Sequence, residues 1–343
     1  MDKKRKSSII DLLPVIFSCI LAVAVCIIGV LLYEYSVVLA LLLCVLGFAL
    51  NYVCGILIHE LGHIVAAKRC KMRIIYLNLG IVSVDYITKT LKGFTFFKKD
   101  AGEARFVPTE KITEKQLRMV ALNGLVYSLV FFIVGVLAGI LLSIATRSAI
   151  PYCLFTAGQA ANFYIFAVNA LSSDKSADGN VAFPQSSYVK VLAEISNIEL
   201  EITDGKIPTE PELIKHDNQP IALYYHYLFT AIGKGKEAAL KVLDGITDLN
   251  AMTDQEYALI FPELVFKACT ENNLTEEYKT LAEDFFANDQ TGVRVLRAHI
   301  AFRKYIGDEK WADILQGSYR KLIEKELPFT VNSENALNNR HAV

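Results

Sequence analysis

Four long segments without a charged residue occupy much of the first half of the chain. Each of them reaches or exceeds the ~20 residues that an α-helix needs to cross ~30 Å of hydrocarbon. The four segments are Leu12–Tyr33, Val37–Ile58, Met119–Thr146 and Ser148–Ser173. We therefore predict four transmembrane helices, over about residues 12–33, 37–66, 118–146 and 148–173. The first segment is too long for a cleaved signal peptide and has no small-residue cleavage site, so we interpret it as a retained anchor.

Between the second and third apolar segments the pattern changes to short β-branched and aromatic runs. Such runs, separated by Gly80 and by a turn at Lys98–Gly102, are typical of strands. The predicted strands are Ile74–Leu79, Ile81–Tyr86, Thr95–Phe97 and Ala104–Val107. We predict a small β-sheet insertion over about residues 74–107. Either this sheet simply packs on the membrane face, or one edge pairs with an unwound substrate segment, as β-augmentation allows.

After Asn180 the composition becomes that of a soluble domain, and apolar residues recur at helical spacing. The predicted helices are Ile221–Ile232, Glu237–Ile246, Glu256–Cys269, Glu276–Phe286, Val293–Tyr305 and Trp311–Ile323. They pair into hairpins that start near residues 219, 254 and 290, so this part resembles tetratricopeptide repeats, which have a period of ~34 residues. An ordinary helical bundle remains the alternative. We predict a cytoplasmic helical domain over residues 181–330 and a frayed polar tail over 331–343.

Together these patterns predict a mainly α membrane protein: a membrane-embedded domain over residues 1–180, then the helical domain. The composition agrees, because 53% of the 343 residues are hydrophobic and the mean hydropathy is +0.35. Basic residues cluster at Lys3–Lys6 and Lys68–Arg73, beside apolar segments, where they indicate the cytoplasmic side of a bilayer and not a nucleic-acid surface. The charge bias predicts a multi-pass protein with both termini in the cytoplasm. Seven cysteines without a C-x-x-C pair favour neither a disulfide framework nor a cysteine metal site.

The candidate chemistry lies at the end of the second apolar segment, in the motif His59-Glu60-Leu61-Gly62-His63. On a helix, residues four apart share a face, so both histidines can direct a ring nitrogen at one metal ion. Glu60 lies where it can take a proton from a water molecule at that ion. The alternative, a buried and mutually paired structural cluster, is disfavoured because ionisable residues at membrane depth are costly and rarely without a function.

A catalytic zinc site has three protein ligands, so two histidines need a third. The fourth predicted span ends near two candidates, Asp174 and Asp178. We favour Asp178, because Gly179 after it allows a tight turn and a close approach to the helix that carries the histidines. Asp174 adjoins Lys175 and is also consistent with a solvated helix end.

The motif at residues 59–63 inside an apolar segment, with a distant Asp178-Gly179, resembles the site-2 protease family of intramembrane zinc metalloproteases. That family's second motif is N-x-x-P-x-x-x-x-D-G, and here Asn169 matches its first residue, Ser172 replaces the proline and the spacing is one residue longer. The family's middle span often carries G-P-x-x-N, which Gly124–Ser128 matches as a degraded copy. The resemblance covers about residues 37–180.

The resemblance implies that His59, His63 and Asp178 bind one zinc ion and that Glu60 is the general base. It also implies that Asn169 polarises or positions the scissile carbonyl, although an interhelical hydrogen bond or a helix end explains that residue equally well. We expect an endopeptidase that cuts a membrane-spanning or membrane-bound peptide near the cytoplasmic face of a bacterial cell membrane.

The partners expected are this substrate, the lipid bilayer and a cytoplasmic protein bound by the C-terminal helices. The alternative function is a zinc-binding membrane regulator or scaffold without turnover. A metal carrier has little support, because the apolar segments offer no polar pathway.

Overall fold

The structure is a computed structural model and describes residues 9–33, 36–86, 89–93, 102–172, 175, 177–183, 187–249, 252–288 and 292–338. The chain divides into two compact units, one over residues 6–196 and the other over 197–343. The predicted boundary at residue 180 is therefore about 16 residues too early. The short helix that begins at Asp178 packs against the third long helix of the first unit and belongs to it.

The first unit is mainly helical. Its helices are α1 (Ile9–Tyr33), α2 (Val37–Arg69), α3 (Glu114–Thr146), α4 (Ala149–Pro151), α5 (Gln159–Leu171), α6 (Asp178–Ala182) and α7 (Tyr188–Thr203), of which the last continues into the second unit. A π-helical turn over Tyr152–Ala157 lies between α4 and α5. Two of these helices, α2 and α3, are long and apolar enough to cross a membrane.

The prediction of four spans is supported only in part by helix lengths. In α1 the apolar stretch that can be assessed is Leu12–Val25, which is too short by itself. The fourth segment is helical, but the π turn interrupts it and leaves only 13 residues in α5. At this interruption the Asn51 side chain donates a hydrogen bond to the Leu154 carbonyl at 2.9 Å. A polar residue of α2 therefore pairs with a backbone carbonyl of the π turn.

The outer and inner faces of α2 and α3 differ in the size of their side chains. Large apolar residues point outward, as Val45 and Leu141 do with exposed fractions of 68% and 65%. The buried positions include the small residues Ala40, Gly47 and Gly55. Small residues inside and large apolar residues outside are typical of helices that pack closely in lipid, where burial of leucine gives no driving force.

The insertion between α2 and α3 is a four-stranded antiparallel sheet with the order β3-β2-β1-β4. Its strands are β1 (Met72–Asn78), β2 (Val82–Asp85), β3 (Thr90–Gly93) and β4 (Glu103–Pro108). The strands predicted at residues 74–79, 81–86 and 104–107 are confirmed within about two residues. The predicted strand Thr95–Phe97 lies outside the described residues, and β3 was not predicted.

The second unit contains three helical hairpins at the predicted places. Its helices are α8 (Glu212–His216), α9 (Pro220–Lys234), α10 (Lys236–Val242, followed by a 3-10 turn at Leu243–Gly245), α11 (Asp254–Thr270), α12 (Glu276–Asn288), α13 (Val293–Tyr305), α14 (Glu309–Ile323) and α15 (Pro328–Leu337). The hairpins begin at residues 220, 254 and 293. In α11, for example, Thr253 accepts the backbone N–H of Glu256 while the Glu256 side chain accepts that of Thr253, a capping box at the predicted helix start.

The predicted frayed tail is wrong for residues 331–338, because residues 331–337 belong to α15. Leu337 and Glu334 are fully buried there. The Glu334 carboxylate accepts a hydrogen bond from Arg297 at 2.9 Å and another from Tyr319 at 3.0 Å. Polar composition suggested an exposed end, but these polar groups have partners inside the unit.

Candidate metal centre

The two histidines of the motif lie on the inner face of α2. His59 and His63 are one helical turn apart, and with Glu60 they are buried, with exposed fractions of 2–8%. An uninterrupted helix through residues 37–69 produces this placement, because residues i and i+4 then lie above one another. Potential ligand atoms of the three residues lie within 4.8 Å of one another.

A third group from a different element completes the cluster. The Asp178 Oδ2 atom lies 2.9 Å from His59 Nε2 and 3.1 Å from His63 Nε2. The two Nε2 atoms are 3.2 Å apart. Three potential ligand atoms from residues 59, 63 and 178 therefore form a nearly equilateral triangle.

The other ring nitrogens are held by α3. His63 Nδ1 lies 2.9 Å from the Val120 carbonyl oxygen, and a carbonyl can only accept, so Nδ1 carries the proton and neutral His63 has a lone pair on Nε2. His59 Nδ1 lies 2.8 Å from Ser128 Oγ, which can accept in the same way. Such contacts to the far nitrogen fix ring orientation and tautomer in metal-binding histidines.

Glycines allow α2 and α3 to approach closely at this point. A side chain at Gly124 would place its Cβ 2.3 Å from the His63 ring, and one at Gly62 would place its Cβ 2.5 Å from the Asn123 carbonyl oxygen. Neither position tolerates even alanine without movement of a helix or a ring. The Gly124–Ser128 stretch therefore supplies both the space for one histidine and the hydroxyl that holds the other.

Asp178 is the first residue of α6, which packs against α3 and α5. Gly179, the next residue, lies against the end of α5. A Cβ at Gly179 would meet the Ala170 carbonyl oxygen of α5 at 2.2 Å, so the glycine holds α6 against the end of α5.

The donor set fits a cation. With both histidines protonated at Nδ1, the atoms Nε2, Nε2 and Oδ2 all present lone pairs to one another and no hydrogen lies between them. Asp178 Oδ2 and Glu60 Oε2 are buried, and neither accepts a hydrogen bond from the part of the chain that the structure describes. In a tetrahedral zinc site with bonds of ~2.0–2.1 Å, neighbouring ligand atoms are ~3.3 Å apart, close to the 2.9–3.2 Å separations here.

Two candidates from the sequence lie elsewhere. Asn169 Nδ2 donates to the Ile165 carbonyl of its own helix at 2.9 Å, and within the described ranges no hydrogen bond joins it to the cluster. Asp174 lies outside the described residues. The Val120 carbonyl was missed, because a backbone acceptor leaves no mark in the sequence.

Comparison of the chain with protein-family models, with curated proteins and with solved structures gave no match.

Proposed function

We propose that this protein is a zinc-dependent intramembrane endopeptidase that resembles the site-2 protease family. The observation that carries the proposal is the convergence of His59 Nε2, His63 Nε2 and Asp178 Oδ2 beside a buried carboxylate, Glu60. Two imidazoles and a carboxylate are a common ligand set of hydrolytic zinc, and the remaining coordination position is open to water or substrate.

Zinc bound here would polarise a peptide carbonyl and lower the pKa of a water molecule towards ~7. The residues of the chain supply the rest. Glu60 accepts the proton of the attacking water and passes it to the leaving amide nitrogen. Ser128 and the Val120 carbonyl hold the two rings so that both Nε2 lone pairs face the same point.

The membrane setting rests on the apolar outer faces of α2 and α3 and on the basic residues beside the apolar segments. We extend it to four spans with both termini in the cytoplasm, in which α1 and the α4–α5 segment are the additional two. The motif then lies near the cytoplasmic end of α2, and the substrate is a membrane-spanning or membrane-bound peptide cut near that face. The helical unit, which resembles tetratricopeptide repeats, binds a cytoplasmic partner.

The decisive experiment is Glu60→Gln in the full-length protein, reconstituted in vesicles with a panel of single-span substrate peptides. We expect cleavage to fall by roughly 10²–10⁴-fold, the usual contribution of a general base. Zinc content, measured by elemental mass spectrometry, stays at one ion per chain because Glu60 is not a ligand. The matched control is Glu110→Gln, which removes an exposed glutamate paired with Lys71 in the same unit and leaves cleavage unchanged. Full activity in the Glu60 variant would remove the proposal.

A zinc-binding regulator without turnover is the second candidate. It is favoured by Asn169, whose amide is engaged with Ile165 instead of facing the cluster, and by Ser172 in place of a proline. Zinc binding together with no cleavage of any peptide in the panel by the unmodified protein would support this candidate.

A further inference from the structure

The last helix of the second unit, α15, does not extend the stack of hairpins. In such a stack each hairpin contacts only its neighbours, so a helix that began a fourth hairpin would pack on the third alone. Phe329 of α15 instead packs on Phe229 of α9, in the first hairpin, with ring centroids 5.3 Å apart. Glu334, five residues later, accepts a hydrogen bond from Arg297 of α13, in the third hairpin. This helix therefore lies across the stack, from the first hairpin to the third.

The surface that α15 covers is formed by the first helices of the three hairpins. α11 packs against α9 on one side and against α13 on the other. One face of α15 is fully buried, through the side chains of Phe329, Ser333, Glu334 and Leu337. Surfaces that successive hairpins share are the ones on which repeat proteins bind extended partners. α15 therefore occupies this surface as a peptide helix occupies a groove.

The charges of this surface indicate why a glutamate anchors the helix. The guanidiniums of Arg294 and Arg297 on α13 both interact with the carboxylates of Glu263 and Glu334. The hairpins themselves supply the two cations and one of these carboxylates, and α15 supplies the other. A buried guanidinium that loses its carboxylate is costly, so any segment that replaces α15 has to bring an acidic group to the same place.

The fit of α15 to this surface is incomplete. A cavity of about 350 Å³ remains beside its first turn, with Leu259 and Val293 on the side of the hairpins and Leu327 and Thr330 on the side of α15. Protein interiors otherwise contain few voids larger than a water molecule. Among the four fully buried side chains of α15, only Phe329 and one other, a leucine, are large and apolar. The apolar contacts that hold this helix are therefore few, and a segment of similar chemistry competes for its place.

We propose that α15 is an intrachain occupant of this surface and that a helical segment of a cytoplasmic partner displaces it. This segment carries an aromatic residue and, five positions later, a carboxylate. The aromatic ring packs on Phe229 in place of Phe329, and the carboxylate pairs with Arg297 in place of Glu334. Because only the open form binds the partner, α15 weakens the apparent affinity and so regulates binding. The inference rests on the proposal that the second unit binds a partner, and it does not involve the metal centre.

The test measures binding of a fluorescent peptide of residues 325–338 to the full-length protein in detergent. In the unmodified protein the intrachain segment competes at a high effective concentration. Phe329→Ala in the protein weakens this competitor and leaves the surface intact, so we expect the peptide to bind at least tenfold more tightly to this variant. Glu324→Gln, at an exposed position after α14, is the control and leaves the affinity at that of the unmodified protein. A peptide with Glu334→Gln should bind the Phe329 variant at least tenfold more weakly than the original peptide does.

Equal binding of the peptide to the unmodified protein and to the Phe329 variant, or binding to neither, overturns the inference. Equal binding still leaves standing the proposal that the second unit binds a partner. Hydrogen exchange of the unmodified protein gives an independent test if the variant fails to fold. We expect the slowest amides of α15 to exchange at least tenfold faster than the slowest amides of α11, because α15 opens without the hairpins. Exchange of both helices at one common rate shows that α15 opens only with the whole unit and overturns the inference.

Discussion

Two buried polar clusters, one in each unit, are built on opposite plans. In the second unit the Arg297 guanidinium nitrogens lie 2.6–2.9 Å from carboxylate oxygens of Glu263 and Glu334. Tyr227 donates one further hydrogen bond to Glu263, and Tyr319 donates one to Glu334. In the first unit His59, His63 and Asp178 converge at 2.9–3.2 Å.

The two clusters differ in the cation and the hydrogen-bond donors that the chain itself supplies. The Arg297 cluster contains a cation and five hydrogen bonds donated to the two carboxylates, so these carboxylates are stabilised by the chain itself. The histidine cluster contains only acceptors at its centre once both Nδ1 atoms carry protons. When both rings are neutral, the cluster has no cation of its own, and this difference from the Arg297 cluster supports the proposal of a metal site.

The largest effect is expected in the self-contained cluster. Arg297→Met leaves two buried carboxylates without a cation, and we expect the free energy of unfolding to fall by about 3–5 kcal/mol. Combining it with Glu263→Leu and Glu334→Leu removes all three charges and restores most of the loss. Denaturant unfolding measures the free energy of unfolding of the single and of the triple variant. If the single variant is as stable as the original protein, the cluster is not an ion-pair core.

The next effect distinguishes the two aspartates. Asp178→Asn removes the proposed third metal ligand, so we expect zinc affinity, measured by competition with a chelator, to fall by more than the roughly 10–100-fold typical of indirect partners. Asp174→Asn serves as the control and retains full affinity. A loss confined to the Asp174 variant would reverse the assignment of the third ligand.

A smaller effect is expected from the serine that holds His59. Ser128→Ala leaves the ring without its partner at Nδ1, and zinc affinity falls by roughly 10–100-fold. Ser143→Ala is a close control, since Ser143 is also buried in α3 but its hydroxyl has no partner among the described residues. Equal affinities in the two variants would show that the contact to His59 does not matter.

The smallest effect concerns pH and the second unit alone. Burial and the nearby Arg303 lower the pKa of His299 to about 4, and its Nδ1 has no partner in the described part of the chain. The folded state therefore binds a proton less readily than the unfolded state, whose histidine pKa is ~6.5. Stability is full above pH ~6.5 and falls as the pH drops from there to about 4.

We expect a loss on the order of 1–2 kcal/mol over that interval, allowing for solvent screening. Thermal unfolding of the original protein and of His299→Gln, compared at pH 7 and pH 4.5, isolates this contribution from that of the carboxylates. The variant should lose less stability than the original protein, and parallel pH profiles would contradict the assignment.

Local pattern was enough to predict most of the elements. Helices in the second unit follow the recurrence of apolar residues, and the predicted Val293–Tyr305 matches α13 at both ends. The fourth apolar segment shows the limit of this inference, because no apolar pattern distinguishes a continuous helix from one with a π turn at residues 152–157. A residue more than a hundred positions earlier, Asn51, donates a hydrogen bond to the Leu154 carbonyl inside that turn.

The sequence by itself determined which residues could bind a metal, because the spacing of His59 and His63 on a helix is a local property. Only the tertiary structure decided that Asp178 is within 3.1 Å of both rings, that Gly124 provides the space for one ring, and that the Val120 carbonyl selects its tautomer. The physical reason is that these contacts join α2 to α3 and α6. Approach distances between separate helices depend on the packing of whole faces, which the order of residues within any one segment does not specify.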